Sequence, residues 1–251
     1  MNPAGATLPL EKQIWLADLE ALSPALETIE ARHLLLSRME RDWPVRSPPE
    51  NLRWRRLARI ALRIVLARAG AAQAYGVEFE AEANGKPTLP GSSLAFNASH
   101  AAGRALFVVS SPGPVGIDLE SDRTVALGER RRAMIECAAA SLSRSERPPP
   151  FLQAWTCLEA FAKARGTGIG ALLTELGITG SGAKDLTDAD VAARATAVVA
   201  GSGLEVRALQ VPAPFYASVA APCPISPTGL IVQTLDAANL CFSRRRPPHH
   251  L

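Results

Sequence analysis

Four short groups of residues carry side chains suited to holding or moving charge: Lys86 in NGKPTLP, Ser99 and His100 ending SLAFNASH, Asp118 and Glu120 in GIDLE, and Glu159 with Lys163 in WTCLEAFAKARGTG. Residues two apart on a strand face the same side, so Asp118 and Glu120 aim both carboxylates one way. Such a pair supplies the oxygen ligands that a hard cation such as Mg²⁺ takes, and it equally suits a solvated strand end. Glu159 and Lys163, four apart on a helix, form the commonest kind of surface pair, worth only about 0.2–0.5 kcal/mol. Next to an apolar stripe and just before a glycine-rich loop, the same two could instead give a carboxylate to a metal or proton and an ammonium to a phosphate. Lys86 is held in a turn by Asn-Gly before it and Pro87 after it, where a lysine is by default exposed. Ser99 and His100 are neighbours on a strand and therefore point apart. With no GxSxG elbow and no acid partner, they do not make a serine-hydrolase relay. GTGIG at 166–170 follows a helix instead of linking a strand to one, and no Lys-Ser/Thr follows it. It reads as a helix stop, not a dinucleotide or P-loop.

The elements that must carry these residues are legible in part. Phe151, Trp155, Leu158 and Ala162 recur at helical steps, predicting a helix over 150–165. LRWRRLARIALRIVLARAGA reads as a second strong helix, with Asn51 as its cap and Gly70 as its stop. Its apolar stripe is Leu57, Ile60, Ala61, Ile64 and Val65, with Arg53, Arg56, Arg59 and Arg63 on the other side. SLAFNAS, RALFVVS and VGIDLE read as strands, and LEVRALQVP with FYASVA as a late hairpin. Residues 11–40 carry short helical patterns. Helices interleaved with short antiparallel strands favour an α+β fold over a doubly wound parallel sheet. SPGP at 111–114 marks a hinge, giving an N-terminal half at 1–112, a C-terminal half at 113–224 and a poorly ordered tail at 225–251.

Composition narrows the function classes. The chain has 251 residues, 47% of them apolar, and a formal net charge of +3, too weak a basic balance to argue for nucleic acid. Aromatics are only 5% of the chain and do not interleave with the arginine helix, so a stacking platform for single strands is not indicated. Four cysteines without CxxC spacing speak against zinc and against a disulfide framework. No secretory signal pattern and no membrane-length apolar run are visible, so a cytoplasmic protein without a membrane partner is expected.

Read in order, GKP, FNASH, VGIDLE and WTCLEAFAKARGTG resemble the 4′-phosphopantetheinyl transferase family in its larger, surfactin-type form. RRLARIALRIVLARAG resembles the basic helix that precedes GKP in that family, and LQVPAPFYASVA its closing hairpin, so the likeness spans roughly residues 30–222. The resemblance implies two similar α/β halves related by a pseudo-twofold, with the site in the cleft between them. It implies Mg-dependent transfer of the phosphopantetheine arm of coenzyme A to a serine of an apo acyl or peptidyl carrier protein, releasing adenosine 3′,5′-bisphosphate. By the same resemblance Asp118, Glu120 and Glu159 hold Mg²⁺, Glu159 or a metal-bound water beside it serves as base, and Lys163 neutralises the pyrophosphate. Lys86, Ser99 and His100 bind the phosphates of coenzyme A, and Arg56, or else Arg53, reaches the adenosine 3′-phosphate. A built-in pseudo-dimer implies a monomer. The family's Lys-Glu-Ala triplet is Leu-Glu-Ala here, with Leu158 in the lysine position. A catalytically impaired relative that still binds coenzyme A or a carrier domain is therefore the alternative.

Overall fold

The computed structural model describes residues 12–44, 49–82, 85–111, 113–180, 185–226 and 230–240. The chain runs β1 (Gln13–Asp18), α1 (Leu19–His33), α2 (Arg38–Arg41), α3 (Pro49–Arg68), β2 (Glu80–Ala81), β3 (Pro87–Thr88), β4 (Ala95–Ala101), β5 (Arg104–Ser110) and β6 (Gly116–Ser121). It continues with α4 (Glu129–Ser143), α5 (Phe151–Arg165), α6 (Ile169–Glu175), α7 (Asp188–Ser202), β7 (Leu204–Ala208), β8 (Phe215–Pro222) and β9 (Val232–Leu235). This is a mixed helix and sheet architecture, as the strand and helix patterns predict.

Among the described residues, two main sheets form. One has the order β4-β5-β1-β9, antiparallel except where β9 runs parallel to β1; the other is antiparallel with the order β6-β8-β7. Each strand's period of two sends alternate residues to opposite faces. On one face of the first sheet, Trp15, Phe96, Phe107 and Val109 pack with Leu57, Ala61 and Val65 of α3 and Leu22 and Leu26 of α1. On its other face, Ile14, Leu106 and Val108 meet Ile117, Leu119, Ala217 and Val219 of the second sheet. The far face of the second sheet gives Val206 and Ala220 to a core with Ala138, Phe161, Leu158 and Val191 from α4, α5 and α7. The result is helices, sheet, sheet, helices, with β4 and β6 side by side at the seam, where the side-chain Oδ1 of Asn97 accepts a 2.9 Å bond from the Ile117 N–H.

Four features depart from the sequence reading. QIWLAD is a strand and not helical: β1 lies inside its sheet with Ile14 on one core and Trp15 and Ala17 on another, so burial on both faces erases the alternation. Asn51 is not a cap, because α3 already begins at Pro49. Arg63 is not on a solvated face: it is 0% exposed, held by Glu40 at 2.6 Å and by the carbonyls of Ala74 and Val77. The stretch expected to be a poorly ordered tail contains β9, whose Leu235 is buried in the first core; residues 227–229 and 241–251 of that stretch lie outside the described residues.

Candidate functional site

The seam gathers charge around Asp118. This carboxylate is 5% exposed; its Oδ1 accepts from Ser99 Oγ at 2.8 Å and from Lys163 Nζ at 2.6 Å. The same ammonium donates to the Ile117 carbonyl at 3.2 Å and reaches Ser99 Oγ at 3.4 Å. Asp118 Oδ2 is buried and has no hydrogen-bond partner among the described residues. Three elements converge to make this possible. Ser99 comes from the inner face of β4, Asp118 from β6, and Lys163 from the last turn of α5, which Gly166 closes in the left-handed conformation (φ 69°). Gly116 sets how closely α5 can lie: a Cβ there would stand 2.1 Å from the Ala160 carbonyl oxygen and 2.4 Å from the Ala164 nitrogen. Only the absence of a side chain lets the helix backbone touch β6 and bring Lys163 to Asp118.

Glu159, one turn before Lys163, is half-buried. Burial pushes its carboxyl above the usual range; the Lys163 charge opposes this, and Asp118 and Glu120 add to it. Glu120 lies two residues from Asp118 and is turned toward Arg123, with contacts of 3.1 and 3.2 Å. Among the described residues, no three His, Cys, Asp or Glu side chains converge tightly enough to hold a metal ion. The donor chemistry nevertheless fits a hard cation, because Asp118 offers a buried oxygen with no partner among the described residues and two more carboxylates lie within electrostatic reach. Lys86 is not the exposed turn lysine its local sequence suggests. It is half-buried, donates to the Val115 carbonyl at 2.8 Å just before β6, and has its pKa lowered by burial against the raising effect of Glu82.

Ser99 and His100 point to opposite faces of β4, as adjacent strand residues must. His100 lies exposed between two clefts beside α3. One, of about 690 Å³, is lined by residues including Trp54, Arg55, His100 and Gly103; the other, of about 360 Å³, by Arg55, Arg59, Phe96, Ser99 and His100 among others. The second cleft follows β4 from His100 to Ser99, which touches Asp118. Arg53 and Arg56 line neither. Arg53 is exposed and paired with Glu27 at 3.3 Å, while Arg56 donates to the Arg41 carbonyl at 2.6 Å. The arginines turned toward the clefts are Arg55 and Arg59, four apart on another face of α3. Arg59 is set by a 3.1 Å bond to Glu40 and lies 5.0 Å over the Phe79 ring. Burial lowers its pKa, Glu40 opposes the shift, and the charges of Arg63 and Arg55 add to it.

Sequence reasoning missed Asn97, Arg59, Glu40 and Gly116. The phase of the α3 stripe could have given Arg59, since it stands three residues before Leu62 and directly after Ala58, at the edge of the apolar face. The S-x-x-E pattern at Ser37–Glu40 signals a capping box, which forms here, but nothing local says that the same Glu40 also pairs with two arginines. Leu158 is 0% exposed within the core beneath α5. Its neighbour Glu159 faces the seam.

No family model matches the chain. A protein of Synechocystis sp. named as a 4′-phosphopantetheinyl transferase is 31% identical over 175 residues, which are 66% of this chain and 69% of that protein. The 4′-phosphopantetheinyl transferase HetI of Nostoc sp. is 35% identical over 133 residues, 49% of this chain and 56% of HetI.

Proposed function

The chain belongs to the 4′-phosphopantetheinyl transferase family, and from that premise we propose that it moves the phosphopantetheine arm of coenzyme A to a serine hydroxyl of an apo acyl or peptidyl carrier protein. It is an enzyme of the phosphopantetheinyl-transfer class. The observation that carries the finer reading is the contact of Lys163 and Ser99 with a buried, half-satisfied Asp118 at the end of a cleft bordered by arginines. The larger, two-half form of the family is part of the proposal, supported by two sheets each covered by its own helices.

In this reading the anionic end of coenzyme A lies along the cleft beside α3, its 3′-phosphate against His100, Arg55 and Arg59 in preference to Arg53 and Arg56. The pyrophosphate reaches the Ser99 hydroxyl and the ammonium groups of Lys86 and Lys163, which act as point charges on its oxygens. Asp118, Glu120 and Glu159 would hold Mg²⁺. A bound Mg²⁺ would neutralise the negative charge that develops as the pyrophosphate bond breaks. The carrier serine Oγ attacks the pantetheine-side phosphorus, and the bond from that phosphorus to the bridging oxygen breaks. Adenosine 3′,5′-bisphosphate leaves with the electron pair. Glu159 takes the serine proton; its carboxyl, raised by burial, lies closer to the working pH than an ordinary glutamate, which suits a general base.

Leu158 does not favour the impaired-relative reading. Its side chain belongs to the core under α5 and leaves Lys163 in its contact with Asp118. The test is direct: protein, Mg²⁺, coenzyme A and an apo carrier should yield a carrier heavier by one phosphopantetheine. The absence of a mass shift with a panel of acyl and peptidyl carriers would refute the proposal.

A further inference from the structure

We propose that Lys163 is a cation placeholder, whose ammonium occupies Asp118 in the free protein and must leave it for a divalent cation to bind. The inference rests on the assignment of Asp118 as a metal ligand in the reading above. The ammonium has three N–H donors, and three oxygens surround it: Asp118 Oδ1 at 2.6 Å, the Ile117 carbonyl at 3.2 Å and Ser99 Oγ at 3.4 Å. A carboxylate, a carbonyl and a hydroxyl are also the hard donors a small divalent cation takes.

Asp118 is 5% exposed, so bulk water cannot balance its charge, and a buried carboxylate left without a partner is costly. Lys163 supplies that partner, but only to Oδ1; among the described residues Oδ2 has none. The pair is therefore strong enough to keep the carboxylate in place and incomplete enough to yield to a cation that uses both oxygens. Two cations cannot share Asp118 at contact distance, because their repulsion rises as the separation falls. Lys163 has room to leave: its side chain is 28% exposed, and it sits in the last turn of α5, three residues before Gly166. Once displaced, the ammonium lies next to the cleft and becomes available to an anion there. Cation binding and anion binding at this seam are then positively coupled, and by linkage each strengthens the other by the same factor.

Titrating MgCl₂ into the full chain without coenzyme A, followed by calorimetry, tests this. Lys163→Met should tighten Mg²⁺ about tenfold or more, within the usual span of coupling between sites, while Lys163→Arg keeps the wild-type affinity. Arg165→Met removes a nearby cation that pairs with Glu175 at 2.7 Å, not with Asp118. Equal tightening in Arg165→Met and Lys163→Met would mean that only overall charge matters and would overturn the placeholder. So would unchanged or weaker Mg²⁺ binding in Lys163→Met. If that variant does not fold, the ¹⁵Nζ resonance of Lys163 in the wild type gives the same answer: it should shift as Mg²⁺ saturates, and an unmoved signal overturns the proposal. Asp118→Asn separates the two layers. It should abolish Mg²⁺ binding in every background, and if it does not, the metal assignment itself fails.

Discussion

Replacing Gly116 with alanine adds one carbon at the contact on which the site depends. The position is strand backbone and not left-handed, so the substitution brings no torsional strain and its cost is purely steric. The new Cβ would meet the Ala160 oxygen at 2.1 Å, the Ala164 nitrogen at 2.4 Å and the Lys163 carbonyl carbon at 3.0 Å, all backbone of α5. No side chain can rotate away, so the helix must retreat by roughly 1 Å to restore ordinary van der Waals separation. Overpacking of this kind costs about 1–3 kcal/mol, and rigid backbone on one side puts this case at the upper end. For a chain of this size that lowers Tm by about 5–10 °C. The same retreat carries Lys163 Nζ away from Asp118, and a misplacement of about 1 Å at a reacting centre can cost about a hundredfold in rate. Thermal unfolding and carrier modification followed by mass spectrometry read the two effects. Gly170→Ala, where an added Cβ meets nothing within 4 Å among the described residues, is the control: it lies in α6, where alanine suits a helix better than glycine, so Tm should not fall and the rate should stay unchanged. A Gly116→Ala protein with wild-type Tm and wild-type rate would show that the α5–β6 contact does not set the position of Lys163.

Three further outcomes are expected. Arg59→Ala should raise KM for coenzyme A about tenfold or more, the loss of a hydrogen bond to a charged group, while Arg53→Ala, in an exposed pair with Glu27, leaves it unchanged; the opposite ranking would return the phosphate role to Arg53. Glu159 has a raised folded-state pKa, so the stability it contributes is complete below the unfolded carboxyl value of about 4.3 and is lost as pH rises through the folded value. Metal-free Glu159→Gln, which mimics the protonated form, should therefore be more stable than wild type at neutral pH and equal to it near pH 3.5; denaturant titrations at both pH values that showed no difference would count against a buried Glu159. Leu158→Lys should not restore a family feature but bury an ammonium in a 0% exposed core position, costing about 3 kcal/mol or more; chemical denaturation with an unchanged midpoint would show that position 158 reaches water.

What the sequence disclosed and what it hid have physical causes. Local pattern was enough for α5 and for β4, β5, β6, β7 and β8, because each has a clear period or is bounded by turn residues. It failed for β1, whose two buried faces leave no alternation, and for β9, a short edge strand that gains its order from pairing with β1. The charged residues of α3 were misjudged for a related reason. Arginine on a helix is normally solvated, and only the chain's return through α2 supplies the buried Glu40 that draws in Arg59 and Arg63. The contact of Asp118, Ser99 and Lys163 joins residues 19 to 64 positions apart, so no local spacing encodes it. Only the order of the motifs, read as a family resemblance, brought them together in advance. Gly116 looked like the first letter of GIDLE and proved to be the point where helix backbone meets strand.

The central claim is that this chain modifies a carrier serine through the cluster at Asp118. Intact-mass measurement of an apo carrier incubated with the protein, coenzyme A and Mg²⁺ tests it most directly, run beside the Asp118→Ala variant. The expected outcome is a carrier heavier by one phosphopantetheine with the wild type, and an unmodified carrier with a variant that remains folded. An unmodified carrier with the wild type across acyl and peptidyl carriers, or full modification by Asp118→Ala, would contradict it.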